Sequence, residues 1–476
     1  MVNNKSDMAK TLPNYRYNYR YIWLLTIAAA MGGFLFGYDW VVVGGAKSFY
    51  EPFFDITNNP VQQGWGTSSA LIGCMIGAFF CFLTTERWGR KRLLVSAGLI
   101  FAVSAFGTAL ADTFSWYNIF RILGGMGIGI TLNLSPVYIS EMVPAHQRGK
   151  FVSINQLMIN LGILTSQSIN WAIAAAHDTG VSPESSAFLN EWNVITGWRW
   201  MFGAVAVPSL IFFVLMVIVP ESVRWLMKNK QYDKAEKVLV KMGGAEFAKA
   251  ETNEIKETLK NEDPGMDFKS LFRPKMMKIL LLGFFIAILQ QWCGINVTFY
   301  YAADIFREAG YGINGIMLNI AVIGLIMVVF SILAILLVDR VGRKRLMLFG
   351  ALAMTVIYGI IGFLFSQEIT GVWIVVFTLL NVAVYALTFS PIVWVILSEI
   401  FPNRVRGAAM SLSAFVLWIG NFSLTFTFPT IRENLGWANN FWLYGAICFV
   451  GFIILYFVLP ETKNKSLEQI EKELGR

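Results

Sequence analysis

"ERWGRKR", residues 86–92, returns as "DRVGRKR", residues 339–345. Each copy is a short basic run with one acid and one glycine, set between two long apolar stretches. Two further strings recur in the same order. "SEMVPAHQRG" (140–149) returns as "SEIFPNRVRG" (398–407), and "PESVRW" (220–225) has an echo in "PETKNK" (460–465). The offsets are 253, 258 and 240 residues. Three strings in one order at nearly one offset mark a duplicated unit, split at a central polar segment. Transporters are often built as such halves, with the substrate held midway between them.

The apolar stretches around these strings set the class. They fall near 21–46, 65–85, 92–111, 116–139, 151–175 and 199–219, then near 277–304, 314–338, 345–366, 371–397, 408–430 and 438–459. Each is long enough for a membrane helix. Hydrophobic residues make up 56% of the 476 and charged residues only 14%, where a soluble domain carries about 25% charged. The expected fold is an all-α membrane protein of twelve transmembrane helices in two six-helix bundles, 21–219 and 277–459. Residues 220–276 form a polar linker. In it "QYDKAEKVLVKM" and "ETNEIKETLKN" have helical apolar spacing with charged faces, and read as short cytoplasmic helices. Residues 1–20 and 460–476 read as cytoplasmic tails.

The formal charge of +8 is a matter of topology. Lys and Arg gather in alternate loops (86–92, 140–150, 339–345, 398–407), while 47–63, 176–198 and 367–370 are acidic or nearly neutral. The positive-inside rule then places both termini in the cytoplasm and the chain in the cell (inner) membrane, and nucleic acid is not an expected partner. The first apolar run is too long for a signal-peptide core and reads as a retained span. Cys74, Cys81, Cys293 and Cys448 lie in apolar stretches, and His146 and His177 lie in loops. Neither set has metal-ligand spacing. There is no Walker A pattern and no convincing hydrolase triad, so neither an enzyme nor a cofactor is expected.

The recurring loops carry acids that can meet their bases. The glycine of each Gly-Arg-Lys-Arg permits a tight turn. Glu86, Glu141, Asp339 and Glu399 are available to Arg90, Arg148, Arg343 and Arg406 on the same face. Topology alone explains a lone basic loop. It does not explain Ser-Glu-x-x-Pro and Arg-Gly at identical spacing in both halves, so these charges are expected to form a cytoplasmic network that closes the inward gate.

Charges inside the spans need a separate reason. "GGFLFGYDW" (32–40) puts Asp39 in the first apolar stretch, where a carboxylate costs about 2.5–3.5 kcal/mol. Arg121 lies in the fourth, which runs the opposite way. Counted at 1.5 Å per residue, both sit roughly 8–10 Å below the outer surface, so they can meet. Pairing compensates both charges. The plainer consequence is a static tether. The richer one is a switch in which Asp39 exchanges Arg121 for a proton. Deeper polar groups are neutral: Gln156 and Asn160 on span 5, Gln290, Gln291 and Asn296 in "QQWCGIN" with Tyr300 and Tyr301 after them, Trp394 on span 10, and Trp418 and Asn421 on span 11. Amides donate and accept together, and indole faces pack on C–H-rich rings, a mixture suited to a neutral polyhydroxylated ligand. The same amides could instead bridge helices. Gly73/Gly77 and Gly125/Gly129 are expected to allow close helix packing.

With "GGFLFGYD", "ERWGRKR", "RILGGMGIGI", "PVYISEMVPAHQRGK", "PESVRWL", "QQWCGINVTFYYA", "DRVGRKR", "PIVWVILSEIFPNRVRG" and "PETKNKSLEQIE", the chain resembles the sugar porter family of the major facilitator superfamily. It looks most like the bacterial D-xylose:proton symporters. The resemblance implies two bundles rocking about a central sugar site lined by Gln156, Gln290, Gln291, Asn296, Trp394 and Trp418, with Phe36 and Tyr300 nearby. It implies Asp39 as the proton-linked carboxylate and Arg121 as its partner, where facilitative glucose carriers typically have asparagine at the Asp39 position. Ile163, Met327 and Leu417 depart from the polar residues of the xylose carriers. The sequence-level expectation is thus a proton-coupled monosaccharide symporter for D-xylose or a related sugar such as D-glucose, working as a monomer in the lipid bilayer by alternating access. A facilitative uniporter and a non-transporting sugar sensor are the alternatives. Arg121 is a poor neighbour for sodium, so protons are the expected coupling ion.

Overall fold

A computed structural model describes residues 15–183, 185–260, 274–402 and 405–463. The first half runs through α1 (Tyr19–Phe53), α2 (Pro60–Trp88), α3 (Arg90–Ala109), α4 (Phe114–Glu141), α5 (Arg148–Ala176), α6 (Trp198–Gly203) and α7 (Ala206–Ile218). The linker supplies α8 (Val223–Lys228) and α9 (Tyr232–Lys260). The second half supplies α10 (Pro274–Trp292), α11 (Ile295–Tyr300), α12 (Ala302–Glu308), α13 (Ile313–Val341), α14 (Arg343–Ser366), α15 (Val372–Leu387), α16 (Phe389–Ile400) and α17 (Arg406–Val458).

Ten helical stretches among the described residues are long and apolar enough to cross a membrane. One of them, Ala408–Val458, is two arms meeting at Gly436, where φ is +75°. The 29-residue α5 is too rich in amides to count among the ten, yet it packs along α1 as a full-length span. Twelve crossings result. Large apolar side chains such as Phe79, Leu83, Leu110 and Phe457 are exposed around the perimeter, as expected of a surface solvated by acyl chains rather than water.

Local chemistry sets the breaks. Asn59 caps α2 by accepting from the Gln62 N–H at 3.1 Å, and Pro60 occupies the first turn. The recurrent glycines, Gly89 and Gly342, sit at φ +89° and +101° between α2 and α3 and between α13 and α14, a backbone region that favours glycine. Glu221 and Glu461, the acids of the "PES" and "PET" echoes, accept from the backbone N–H groups just after those glycines. Glu221 takes Arg90 and Lys91, each at 3.0 Å, and Glu461 takes Arg343 at 3.0 Å. The third repeat is therefore a helix cap for the first.

Glycine also sets the packing. A Cβ on Gly73 would strike the Ile122 carbonyl, and one on Gly125 the Ala70 carbonyl, so α2 and α4 touch backbone to backbone. Gly37 and Gly162 do the same for α1 and α5. The halves meet where Gly324 of α13 abuts Leu164 of α5 and Gly64 of α2 abuts the Phe426 carbonyl of α17.

Three spans differ from the apolar stretches that mark them. The first helix continues to Phe53, past the apolar stretch that ends near residue 46. The seventh and tenth spans are broken, into α10, α11 and α12 and into α15 and α16. The linker helices lie against the first half, where Arg148 of α5 reaches Glu251 of α9. Asn18 donates its N–H to the Met242 carbonyl at 2.8 Å, and Tyr15 and Tyr17 pack on Phe247.

Candidate functional site: a buried ion pair beside a central cavity

Asp39 and Arg121 meet. Arg121 Nη1 donates to Asp39 Oδ1 at 2.6 Å, and Nη2 reaches the Asp39 carbonyl at 3.4 Å. Both residues are buried, and the guanidinium lies 5.2 Å from the centre of the Phe202 ring. The second carboxylate oxygen, Oδ2, has no hydrogen-bond partner among the described residues. Because α1 runs about two turns beyond its apolar stretch, Asp39 is farther from the helix end than the sequence count gives. Arg121 lies seven residues into α4, at the same level.

A small cavity opens beside this pair, bounded also by Trp40, Tyr300 and Trp418. Phe36, Trp40 and Trp418 bound in addition a larger cavity between the halves, about 590 Å³ of atom-free space partly continuous with solvent. Phe36 and Trp40 stack at 5.6 Å with their planes 12° apart. Three aromatic rings thus separate the carboxylate from the larger cavity.

Gln156, Gln290, Gln291, Trp394, Trp418, Asn421 and Phe36 line the larger cavity. Asn296 and Tyr300 do not. Asn296 instead donates to Gln291 Oε1 at 2.8 Å and fixes that amide. Gln291 donates to Gln290 Oε1 at 3.4 Å, and Gln290 to the Phe389 carbonyl at 3.2 Å. Tyr300 faces the smaller cavity. The chain can bend here because Gly294 sits at φ +83° between α10 and α11, where a Cβ would crowd Tyr358 and Tyr444. Tyr385 and Ser390 also line the larger cavity, one on each side of the break at Thr388. The available signal was Pro391, which cannot donate to the Leu387 carbonyl and so ends the helix before it. Of the three departing positions, Met327 and Leu417 line the cavity, while Ile163 is fully buried outside its lining.

The charged loops form pairs within each half. Arg90 bridges Glu86 and Glu141, each at 3.1 Å, and Lys228 of α8 joins Glu86 at 2.5 Å. Ser222 hydrogen-bonds Glu141. Arg343 pairs with Glu399 at 3.2 Å. Arg148 reaches Glu251 of α9 at 3.8 Å and not a loop acid. The side chains of Asp339 and Arg406 lie outside the described residues. No ion pair among the described residues joins the two halves at this face, so the expected network is not seen closing a gate there.

The opposite end does carry such a join, which the sequence reading missed by assigning Lys47 to a loop. Lys47 of α1 meets Asp304 of α12 at 2.5 Å, with side-chain exposures of only 1% and 7%. Glu51 and Arg307 complete the group. The molecule is pinned shut at the end remote from its termini.

Comparison with known proteins accords with this geometry. Residues 25–474 match a family model described as "Sugar (and other) transporter". The chain is 36% identical over 474 residues to an arabinose-proton symporter of Bacillus subtilis (strain 168), covering 99% of each. It is 34% identical to a D-xylose-proton symporter of Escherichia coli (strain K12), covering 96% of each. A solved structure of a xylose transporter from E. coli, in a partially occluded inward-open conformation, superposes with a TM-score of 0.82 at 32% identity, covering 94% of this chain and 100% of that one. Repeat, fold and match together make this chain a member of the sugar transporter family of the major facilitator superfamily.

Proposed function

We propose that the protein is a proton-coupled monosaccharide symporter. The observation that carries this reading is the Asp39–Arg121 pair, buried, one carboxylate oxygen bare, and separated from an amide-lined cavity by rings that both cavities share. A proton on Asp39 cancels its attraction for Arg121 and frees α1 to shift against α4. A sugar in the larger cavity engages Gln156, Gln290 and Gln291 and packs on Trp394 and Trp418. Phe36, Trp40 and Trp418 then report its presence to the pair. The cycle works by alternating access, in which coupling is a shared bias on one two-state equilibrium.

The substrate is a pentose or hexose, such as D-xylose, L-arabinose or D-glucose. The transporter lies in the cell membrane with both termini cytoplasmic and works as a monomer in the bilayer. In that orientation Lys47 and Asp304 close the outer end. The Arg90–Glu141 and Arg343–Glu399 pairs then stand ready at the inner end, where they gather when the outer end opens.

The test is proton movement itself. In liposomes loaded with a pH-sensitive dye, external D-xylose, L-arabinose or D-glucose should acidify the lumen when protein is present. Sugar entry with no pH change would instead make the protein a uniporter.

A further inference from the structure

We propose that Asn160 is a specificity-determining residue, giving one sugar hydroxyl both a donor and an acceptor; this rests on the sugar-binding reading of the central cavity. Asn160 stands one helical turn after Gln156 on α5 and lines the same cavity. It is 1% exposed, and neither its Nδ2 nor its Oδ1 has a partner among the described residues. A buried amide with both ends bare is costly unless something satisfies it. Three of the other cavity amides are already committed, Gln290 to the Phe389 carbonyl, Gln291 to Asn296 and Asn421 to the Thr425 hydroxyl. Asn160 is not. Across the cavity Met327 and Leu417 are apolar. Hydroxyl recognition therefore shifts towards α5, and a sugar seated here turns a hydroxyl edge to Asn160 and a C–H edge to Met327 and Leu417.

A cycle between ligand and protein tests this. Counterflow KM is measured in liposomes for whichever of D-xylose, L-arabinose and D-glucose is carried, and for its singly deoxygenated analogues, in wild type, Asn160→Ile, Asn160→Ser and Gln290→Ala. Both Asn160 variants should raise KM roughly 5- to 100-fold. One deoxy analogue should bind wild type more weakly yet lose nothing further in the variants, while the other analogues lose additively. Equal losses for every analogue would make Asn160 a packing residue and overturn the assignment, as would unchanged KM in both variants while Gln290→Ala still raises it. If Gln290→Ala is also without effect, the sugar-site reading itself fails. Asn160→Ser decides the matter where Asn160→Ile does not fold.

A different observation carries a second inference. We infer that Lys47, Glu51, Asp304 and Arg307 form a partner-exchange latch at the end remote from the termini. Two polar contacts cross between the halves, Lys47 to Asp304 at 2.5 Å and Arg307 to the Ser48 hydroxyl at 2.9 Å, and the Lys47 ammonium also lies 4.7 Å from the centre of the Tyr301 ring. Two stay within one helix: Lys47 to Glu51 at 3.2 Å on α1, and Arg307 to Asp304 at 3.5 Å on α12. Separating the halves breaks the contacts that cross and leaves the two within-helix pairs intact. Each half then keeps one base and one acid, so neither is left with an uncompensated buried charge, the outcome that makes breaking most buried pairs costly. The latch holds the closed state and still lets it open.

Spin labels at Val61 and Leu435, exposed on α2 and on the first arm of α17, read the opening as a distance in lipid nanodiscs, without transport. Lys47→Met and Asp304→Asn should each add a longer-distance population, and Lys47→Arg should not. Wild-type distances in both neutral variants would overturn the latch. Asp304→Asn alone is decisive if Lys47→Met does not fold.

Discussion

Asp39 holds Arg121 with one oxygen and leaves the other bare. That residue was legible in the sequence because a charge within an apolar stretch is anomalous by itself. Its partner was legible because only one opposite charge lies at a matching depth. The cavity residues were legible in part. Amides on membrane helices stand out, so Gln156, Gln290, Gln291 and Asn421 were found. Tyr385 and Ser390 were not, since tyrosine and serine occur on any helix and only the fold brings these two inward. Asn296 lies one layer behind the lining of the larger cavity, because sequence separates polar from apolar but does not tell an amide that faces a cavity from one that holds its neighbour. Its 2.8 Å bond to Gln291 defines its effect. Asn296→Ala should cost about 0.5–1.5 kcal/mol of binding, a two- to tenfold rise in counterflow KM with the maximal rate kept. A loss of rate at unchanged KM would place Asn296 elsewhere in the cycle.

At the scale of the helix, the glycine turns were legible and the caps were not. Gly89 and Gly342 turn as their motif requires, but the role of the "PES" and "PET" acids emerged only from the backbone N–H groups they accept. Glu221 Oε1 takes three such donors, from Arg90, Lys91 and Ser222. Burial nonetheless raises its pKa, outweighing those donors and Arg90. A carboxyl raised in the folded state stabilises below its unfolded pKa, and that contribution is lost as pH rises through the folded value. Glu221→Gln keeps an accepting oxygen and removes the charge. It should match wild type in thermal stability at pH 7.5, whereas Glu221→Ala should lose about 1–3 kcal/mol from the donors it orphans. Equal losses in both would mean that the charge matters more than the cap. The α2–α4 contact gives a sharper test, since a side chain at Gly125 meets backbone that cannot yield. Gly125→Val should abolish monodisperse protein or cut transport at least tenfold, while Gly359→Ala, where a Cβ meets nothing within 4 Å, should change neither. The end of α1 was misread because Lys47 and Glu51 look like loop residues. They remain helical and buried because Lys47 pairs with Glu51 one turn on and with Asp304, 257 positions away, and the second of these is a tertiary compensation that no local pattern reveals.

For the whole molecule, the duplicated strings mark two halves, and the structure adds how they meet: closed by ion pairs at the end remote from the termini, with charge pairs such as Arg90–Glu141 and Arg343–Glu399 lying inside one half at the other. The central claim is that one proton on Asp39 and one sugar between the halves bias the same rearrangement. The most direct test compares wild type with Asp39→Asn in liposomes, using radiolabelled D-xylose, L-arabinose and D-glucose under an inward proton gradient and, separately, in counterflow without one. Neutral asparagine imitates the protonated carboxyl, so exchange should survive while uphill accumulation is lost. Wild type should accumulate sugar above equilibrium only with the gradient. Wild type that merely equilibrates sugar whatever the gradient, or Asp39→Asn that still concentrates it, would contradict the account and leave Asp39 as a structural tether for Arg121.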